Sequence, residues 1–210
     1  MTAVYLIGGG GHGKVLLDAL RTAGVAVTGI ADADPKRSGD RVLDVPVIGG
    51  DEAILAMDPG AVLLVNGVGS VDRPVARRAV YDRFAARGFR FRDVIHASAV
   101  IGAAVALGDG VQIMAGCVVQ PGARIGHDTI LNTCASVDHD CKIGDHVHVA
   151  PGATLSGDVT VGDGVHIGTG ANVVQGVRIG ADCVIGAGAL VLCDVPPGSR
   201  VAGVPAQAIA

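Results

Sequence analysis

The chain has 210 residues, of which 33 are glycine, and half of its residues are hydrophobic although only 2% are aromatic. This apolar content, with a net charge of only −4, excludes a disordered chain, and the glycines do not recur at every third position as they do in collagen. The 16 basic residues are outnumbered by 20 acidic ones, so there is no basic surface of the kind that nucleic acid requires.

Neither export nor a membrane role is indicated. Residues 1–7 have neither the charged region nor the long apolar region of a signal peptide, and no apolar stretch reaches the roughly 20 residues of a membrane span. The 5 cysteines are odd in number and include no CxxC pair, a pattern typical of reduced thiols rather than of disulfides or a zinc knuckle. We therefore expect a cytoplasmic protein with no membrane partner and no nucleic-acid partner.

Residues 1–95 are predicted to form a small Rossmann-like βαβ domain with a parallel sheet. Short apolar runs alternate with helical patterns, and this alternation is typical of such domains. The apolar runs cover residues 4–7, 25–31, 45–48 and 62–65, and the helical patterns cover residues 14–20, 51–57 and 73–87.

A glycine-rich loop joins the first predicted strand to the first helix. Gly8, Gly10 and Gly13 satisfy the pattern GxGxxG, and Asp32 ends the second apolar run. The glycines let backbone N–H groups approach a phosphate at the helix N-terminus, and Asp32 can accept a hydrogen bond from a ribose hydroxyl or a base edge. Two interpretations of this loop are that it binds NAD and that it only packs the helix on the strand. The domain holds only half of a dinucleotide fold and no dehydrogenase substrate domain follows it, which favours another nucleotide.

Residues 96–210 contain a repeat with a period of six. Every sixth residue from Ile101 to Val191 is aliphatic, and the residue four positions after each is small or β-branched. This period fits a short strand and a turn, three times per coil, which makes the triangular prism of a parallel β-helix with both residue types pointing inward. At about 4.8 Å per coil the prism is about 25 Å long. The glycines that often follow the aliphatic residue, such as Gly102 and Gly144, are expected to form its tight corners.

Five of the seven histidines lie in the repeat and none occupies an inward position, so each is most simply a solvated residue; they are His127, His139, His146, His148 and His166. His139 differs because carboxylates flank it at Asp138 and Asp140. A neighbouring carboxylate raises the basicity of an imidazole. His139 is therefore the candidate general base.

The spacing of the histidines predicts a homotrimer. A coil has eighteen residues, so His139 and His148 lie on different sides of one prism and can meet only across a subunit boundary. We expect active sites between prisms, each using His139 of one chain and His148 of the next; a light-scattering mass equal to one chain would contradict this. One coil beyond His139, Gly157 leaves room and a free backbone N–H, and one coil beyond His148 stands His166.

Histidines on a trimeric prism also suggest a zinc site, as in γ-class carbonic anhydrases. Such a site requires three imidazoles and a water molecule. A zinc site leaves the nucleotide loop unexplained, so we expect no metal.

Several sequence blocks resemble those of bacterial sugar acyltransferases of the sialic acid O-acetyltransferase (NeuD) family. This resemblance implies a left-handed β-helix and a nucleotide-sugar N-acetyltransferase of polysaccharide biosynthesis, which acetylates a 4-amino-4,6-dideoxy sugar. Acetyl-CoA would be the co-substrate, with no tightly bound cofactor. The blocks are GGGGHGK at 8–14, NT at 132–133, VDHDC at 137–141, IGD at 143–145, HVAPG at 148–152, Gly157 and VAGVPA at 201–206.

The resemblance also implies roles for single residues. His139 would take the proton from the sugar amine as the amine attacks the thioester, and Asp140 would raise the basicity of His139. Some members have Glu in place of this Asp, so Asp138 is an alternative partner. His148 would contact the acetyl group, and the N–H of Gly157 would serve the oxyanion.

The remaining implied contacts divide between the two substrates. The pantetheine arm of acetyl-CoA would lie near Thr169 and Ala187, which are one coil apart. The nucleotide-sugar would contact Gly11, His12, Gly13, Asp32, Gly69 and Asn132.

Three alternatives stay open. The same base would serve O-acetylation of sialic acid or another sugar hydroxyl. A non-catalytic nucleotide-sugar sensor has the same scaffold, although His139 and its acids argue against it. A ping-pong route through an acyl-Cys134 is a third hypothesis. The residues identify neither the nucleotide base nor the sugar.

Overall fold

The computed structural model describes residues 2–209, and its first part is an α/β domain. A six-stranded sheet has the order β3-β4-β2-β1-β5-β6, and all neighbours are parallel except β3 and β4. The elements are β1 (Ala3–Ile7), α1 (Gly11–Thr22), β2 (Gly29–Ala31), a 3-10 helix (Pro35–Arg37), β3 (Arg41–Val42), β4 (Val45–Gly49), α2 (Asp51–Leu55), β5 (Val62–Asn66), α3 (Val75–Ala85) and β6 (Arg90–Phe91).

Buried apolar side chains stabilise this sheet. The central strand β1 is buried through Leu6, and α1 covers the sheet with a buried apolar face that includes Leu16 and Leu20. Helical spacing of apolar residues builds such a face. The predicted alternation of strands and helices is confirmed, although the second predicted strand is shortened to β2 because residues 25–28 remain irregular.

The second part of the chain is a prism of two-residue strands, one for each hexad. The predicted boundary after residue 95 falls at β7, which already pairs with β10 of the prism. The strands are β7 (Val94–Ile95), β8 (Val100–Ile101), β9 (Ala106–Leu107), β10 (Gln112–Ile113), β11 (Val118–Val119), β12 (Arg124–Ile125), β13 (Ile130–Leu131), β14 (Ser136–Val137), β15 (Lys142–Ile143), β16 (His148–Val149), β17 (Thr154–Leu155), β18 (Thr160–Val161), β19 (His166–Ile167), β20 (Asn172–Val173), β21 (Arg178–Ile179), β22 (Val184–Ile185), β23 (Leu190–Val191), β24 (Arg200–Ala202) and β25 (Gln207–Ala208).

The strands form three sheets, which are the three faces of the prism. The first face runs from β7 through β10, β13, β16, β19 and β22 to β24 and β25; the second from β8 to β23; the third from β9 to β21. Within each face the partners are one coil apart, as Gln112 and Ile130 are, and parallel; only β25 is antiparallel. Inward residues such as Ile113 and Ala135 are buried. The predicted β-helix is confirmed.

The prediction for the corner glycines was wrong. The left-handed backbone falls three residues after each aliphatic position, at residues that include Gly110, Asp128 and His146. The glycines directly after the aliphatic residues serve close packing between coils instead. A Cβ on Gly102 would lie 2.6 Å from the backbone nitrogen of Pro121 in the next coil, nearer than atoms pack, so these glycines permit the short distance between coils.

The N-terminal domain covers the first face of the prism. The outward side chains of that face are buried, including those of Gln112, His148 and His166. Outward side chains on the other faces, such as Lys142 and Thr154, are exposed. The expectation of solvated histidines is therefore wrong for His146, His148 and His166, which are all buried, because repeat periodicity does not reveal which surface another domain covers. Within residues 2–209, no helix is both long and apolar enough to cross a membrane.

Candidate functional site

The glycine-rich loop between β1 and α1 has the geometry of an anion-binding turn. Gly8 has a φ of +90°, which glycine adopts without steric cost. A Cβ on Gly13 would collide with the carbonyl oxygen of Gly8, so Gly13 lets the helix lie close to the loop. Helix α1 starts after Gly10 without a side-chain cap, which leaves its first N–H groups available to an anion.

Asp32 lies beside this loop and is already paired within the protein. Its Oδ2 accepts hydrogen bonds from the backbone N–H of Gly9 at 2.8 Å and from Arg37 Nη1 at 2.6 Å. Its Oδ1 accepts from the backbone N–H of Asp34 at 3.0 Å. A carboxylate has about four acceptor positions, so Asp32 keeps capacity for a ligand while it holds Arg37 at the same end of the site.

A cavity of about 1130 Å³ lies between the N-terminal domain and the first face of the prism. It brings together residues predicted for the nucleotide-sugar and residues predicted for acetyl-CoA. Gly13 lies beneath it as a buried residue of α1, and His139, Asp140 and Gly157 lie elsewhere. The predicted residues that line it are Gly11, His12, Asp32, Gly69, Asn132, His148, Thr169 and Ala187.

His148 lines the cavity as a neutral imidazole. Its Nδ1 lies 2.8 Å from the carbonyl oxygen of Ser70, which only accepts, so Nδ1 carries the proton and donates it. Its Nε2 then accepts from Asn132 Nδ2 at 3.1 Å. Burial lowers the pKa of His148 to about 3, because desolvation disfavours the charged ring.

His12 is fixed in a similar way from the other side of the cavity. Gln112 on β10 donates from Nε2 to the carbonyl oxygen of Asn66 at 2.7 Å, so its Oε1 faces His12 Nε2 at 2.7 Å and accepts from it. Burial, followed by the nearby charge of Arg77, lowers the pKa of His12 to about 4. His12 is therefore neutral at pH 7.

His166 is a third buried imidazole in the wall. It pairs in register with His148 one coil away, and the two rings meet edge to face with centroids 5.1 Å apart. Its Nδ1 has no hydrogen-bond partner within the described residues, and burial lowers its pKa. The cavity thus presents neutral imidazoles, with Asp32, Asp34 and Arg37 as its charged groups.

His139 stands at a different place, an exposed corner between the second and third faces. Its Nδ1 lies 2.9 Å from Asp140 Oδ2. Asp138 accepts from the backbone N–H of His139 at 2.8 Å instead, so Asp140 is the partner of the ring. The hydrogen bond that the ring donates to Asp140 is the main reason that the pKa of His139 is raised above the usual 6.5.

Gly157, one coil further, is buried and packs against the imidazole of His139. A Cβ at Gly157 would lie 2.5 Å from His139 Nε2, so the room that glycine leaves is filled by the ring itself. Because Asp140 binds Nδ1, Nε2 is the basic nitrogen of the neutral ring, and the His139 side chain is 52% exposed.

The corner and the cavity lie on opposite parts of the same prism. The corner of His139 follows β14 of the second face and precedes β15 of the third face, whereas the cavity lies on the first face. In a triangular section, the corner between two faces is opposite the remaining face. One chain cannot bring its own His139 to its own cavity.

Comparisons with known proteins cover the whole chain. Residues 3–84 match the PglD N-terminal domain, and residues 122–157 and 158–193 match the bacterial transferase hexapeptide. A perosamine N-acetyltransferase from Caulobacter crescentus, solved in complex with CoA and GDP-perosamine, is 39% identical with a TM-score of 0.93, covering 100% of this chain and 98% of that chain. This chain belongs to the NeuD/PglD family.

Two other solved structures are also similar to this chain along its whole length. The acetyltransferase domain of PglB from Neisseria gonorrhoeae is 36% identical with a TM-score of 0.92, and WeeI from Acinetobacter baumannii is 26% identical with a TM-score of 0.88; each alignment covers 100% of both chains. The PglB domain has also been solved in complex with acetyl coenzyme A. The prism is accordingly the left-handed β-helix of this family.

In this NeuD/PglD family member, sequence reasoning missed several residues of the site. Ser70 and Gln112 hold His148 and His12, and Arg37 holds Asp32. Gln112 could have been noticed in the sequence as a polar residue at an outward strand position, and the structure shows that this position is buried. Ser70 and Arg37 lie in irregular or 3-10 segments where no periodicity marks them. Within residues 2–209, no three or more His, Cys, Asp or Glu side chains are grouped as a metal site would require.

Proposed function

We propose that this protein transfers the acetyl group of acetyl-CoA to the amine of a nucleotide-linked 4-amino-4,6-dideoxy sugar. The observation that carries this proposal is the pairing of two features: an inter-domain cavity with a phosphate-binding loop, and an exposed His139–Asp140 pair at a corner of the prism. The relatives support it, since one binds CoA and GDP-perosamine and another binds acetyl coenzyme A. Nucleotide-sugar N-acetyltransfer is the activity that this family membership supports.

His139 is the general base in this proposal. As the amine nitrogen attacks the thioester carbonyl carbon, His139 Nε2 takes the amine proton, and the tetrahedral intermediate then expels the CoA thiolate, which is protonated to the thiol. Asp140 accepts from the Nδ1–H, so in the neutral ring Nε2 is the nitrogen without a proton, and Asp140 stabilises the imidazolium that forms. The N–H of Gly157 is proposed to donate to the oxyanion.

In this proposal, both substrates bind in the inter-domain cavity. The diphosphate lies at the N-terminus of α1 near Gly11, with the nucleoside toward Asp32. The sugar then extends toward Asn132 and His148, where the acetyl group is delivered by a pantetheine arm that runs along Thr169 and Ala187. The neutral imidazole of His148 does not compete for the amine proton, because its lowered pKa makes it a poor base.

The base must come from a second copy of the chain. His139 lies opposite the cavity of its own prism, so the His139 corner of one copy would have to enter the cavity of the next. A closed homotrimer satisfies this requirement for all three sites at once. We also propose a cytoplasmic location, where the five cysteines, all free in the structure, stay reduced.

An acetylation assay tests the function. Purified protein is given acetyl-CoA with GDP-, UDP- or dTDP-linked amino sugars, or with free sialic acid, and release of the CoA thiol is measured. We expect rapid release with one nucleotide-linked amino sugar and background release with sialic acid. Rapid release only with sialic acid or another sugar hydroxyl would replace this proposal with O-acetylation. Binding without turnover would replace it with a sensor.

A further inference from the structure

A buried ion pair joins the two domains beside the cavity. Arg77 of α3 donates from Nη2 to Asp128 Oδ1 at 2.7 Å, and the two side chains are 1% and 0% exposed. Asp128 lies at the prism corner before β13. Charges as deeply buried as these need complete sets of hydrogen bonds to be tolerated, so the other partners of Arg77 show what the pair holds.

Arg77 directs its remaining donors at backbone carbonyls. Nε donates to the carbonyl oxygen of Asp128 at 3.1 Å, and Nη1 donates to those of Asn66 at 3.0 Å and Val68 at 2.8 Å. Asn66 completes the set, because its Nδ2 donates to the Arg77 carbonyl oxygen and to Asp128 Oδ1, both at 3.1 Å. One guanidinium thus fixes both the prism corner and the start of the segment that follows β5.

That segment, residues 66–70, is here called the wall loop. Gly67, Val68, Gly69 and Ser70 line the cavity, and Ser70 accepts the hydrogen bond that orients His148. Beyond the wall loop, Asp72 pairs with Arg200, but both side chains are exposed, and exposed pairs contribute little. The wall loop is also held by the N–H of Gly67, which donates to the carbonyl oxygen of Ile7 at 2.7 Å. Arg77 is the buried side chain that binds two carbonyl oxygens of the wall loop, those of Asn66 and Val68.

Asp128 takes part in this arrangement although its backbone conformation is unfavourable for a residue with a side chain. It has a φ of +53°, at the corner position where other coils have Gly110 and Gly164, and a side chain is disfavoured in that conformation. Both of its carboxylate oxygens are nevertheless engaged, since Oδ1 accepts from Arg77 and Asn66 while Oδ2 lies 3.1 Å from His146 Nδ1.

We propose that Arg77 and Asp128 are positioning residues that set the wall loop, and through it the shape of the nucleotide-sugar site. Neither side chain lines the cavity, so they act through the wall loop rather than on substrate. The identity of the ligand rests on the proposed function, whereas the order of the wall loop does not.

The test compares Arg77→Lys with Arg83→Lys, the same change at an exposed arginine of the same helix. Lysine keeps the charge, but a single ammonium cannot reproduce the planar set of donors to four oxygens. In Arg77→Lys we expect backbone amide exchange in residues 67–70 to accelerate about tenfold. The KM for the nucleotide-sugar should rise about tenfold and the KM for acetyl-CoA by much less, because acetyl-CoA meets the wall loop only through His148. Arg83→Lys should change neither.

Unchanged exchange in the wall loop of Arg77→Lys, or an equal rise of both KM values, would overturn the proposal. Asp128→Asn is a second variant in case Arg77→Lys fails to fold, because it keeps the side-chain volume and one acceptor for Arg77. It should give the same selective changes in amide exchange and KM, with smaller magnitude. If neither change is seen in Asp128→Asn, the proposal is also overturned. If no sugar is acetylated by the wild-type protein, the proposed function fails, but the exchange measurement still decides whether Arg77 sets the wall loop.

Discussion

Replacing Gly157 by alanine tests whether the amine reacts at the His139 imidazole, by moving that imidazole. The new methyl carbon would lie 2.5 Å from His139 Nε2, about 1 Å nearer than carbon and nitrogen pack without overlap. The imidazole must therefore retreat by about 1 Å, and a displacement of that size costs about 100-fold in rate. We therefore expect kcat to fall by about 100-fold.

The fold should tolerate this substitution. Gly157 has no left-handed φ, and other coils have alanine at the same position of the hexad, at residues 103, 115, 181 and 187. The assay is steady-state CoA release with a thermal melt, and Gln175→Ala, at the same corner one coil further, is the control. A kcat within threefold of wild type for Gly157→Ala, with an unchanged melt, would show that the amine does not react beside His139.

The other predictions concern the base, the cavity and acid stability. His139→Asn should lower kcat by about 10²–10⁴-fold with CoA binding retained in calorimetry; near-normal turnover would exclude it as the base. Asp140→Asn removes the main cause of the raised His139 pKa, and since His139 acts only when unprotonated, the acid limb of kcat/KM should move to lower pH; an unmoved limb would contradict this. Gly11→Glu has open space for its side chain and should abolish nucleoside diphosphate binding without lowering the melting temperature. His148, with its pKa lowered from 6.5 to about 3, stays unprotonated at pH 5 while the unfolded chain binds a proton, so stability should fall below pH 6.5, by about 2 kcal/mol at pH 5. Denaturant unfolding of His148→Gln should show a smaller loss.

The prism could be predicted because its order is local and periodic. A hexad specifies which residues point inward and which partner lies one coil away, and the pairing of Gln112 with Ile130 follows directly. The role of the glycines could not be read in the same way. Gly102 directly follows an aliphatic residue and Gly110 lies three residues after one, and only the structure shows that the first permits close coils and the second takes the left-handed backbone.

The candidate site was predictable only in parts. The loop at Gly8–Gly13 and the acids around His139 are contiguous motifs, so their chemistry could be proposed from sequence. The partners that hold the cavity are distant in sequence: Arg77 and Asp128 are 51 residues apart, and Ser70 and His148 are 78 apart. No pattern along the chain pairs such residues, since their contact depends on how the first domain docks onto the first face.

The most direct test of the account is complementation between two inactive variants. His139→Asn loses the base and keeps the cavity, while Gly11→Glu loses the cavity and keeps the base. When the two chains are co-expressed with different tags and the mixed assemblies are purified, every closed trimer that holds both chains should contain one intact site, which is about one third of positions. Acetylation of the nucleotide-linked amino sugar should recover to about that fraction of wild type. Mixed assemblies no more active than either parent would contradict a site built from two copies of the chain.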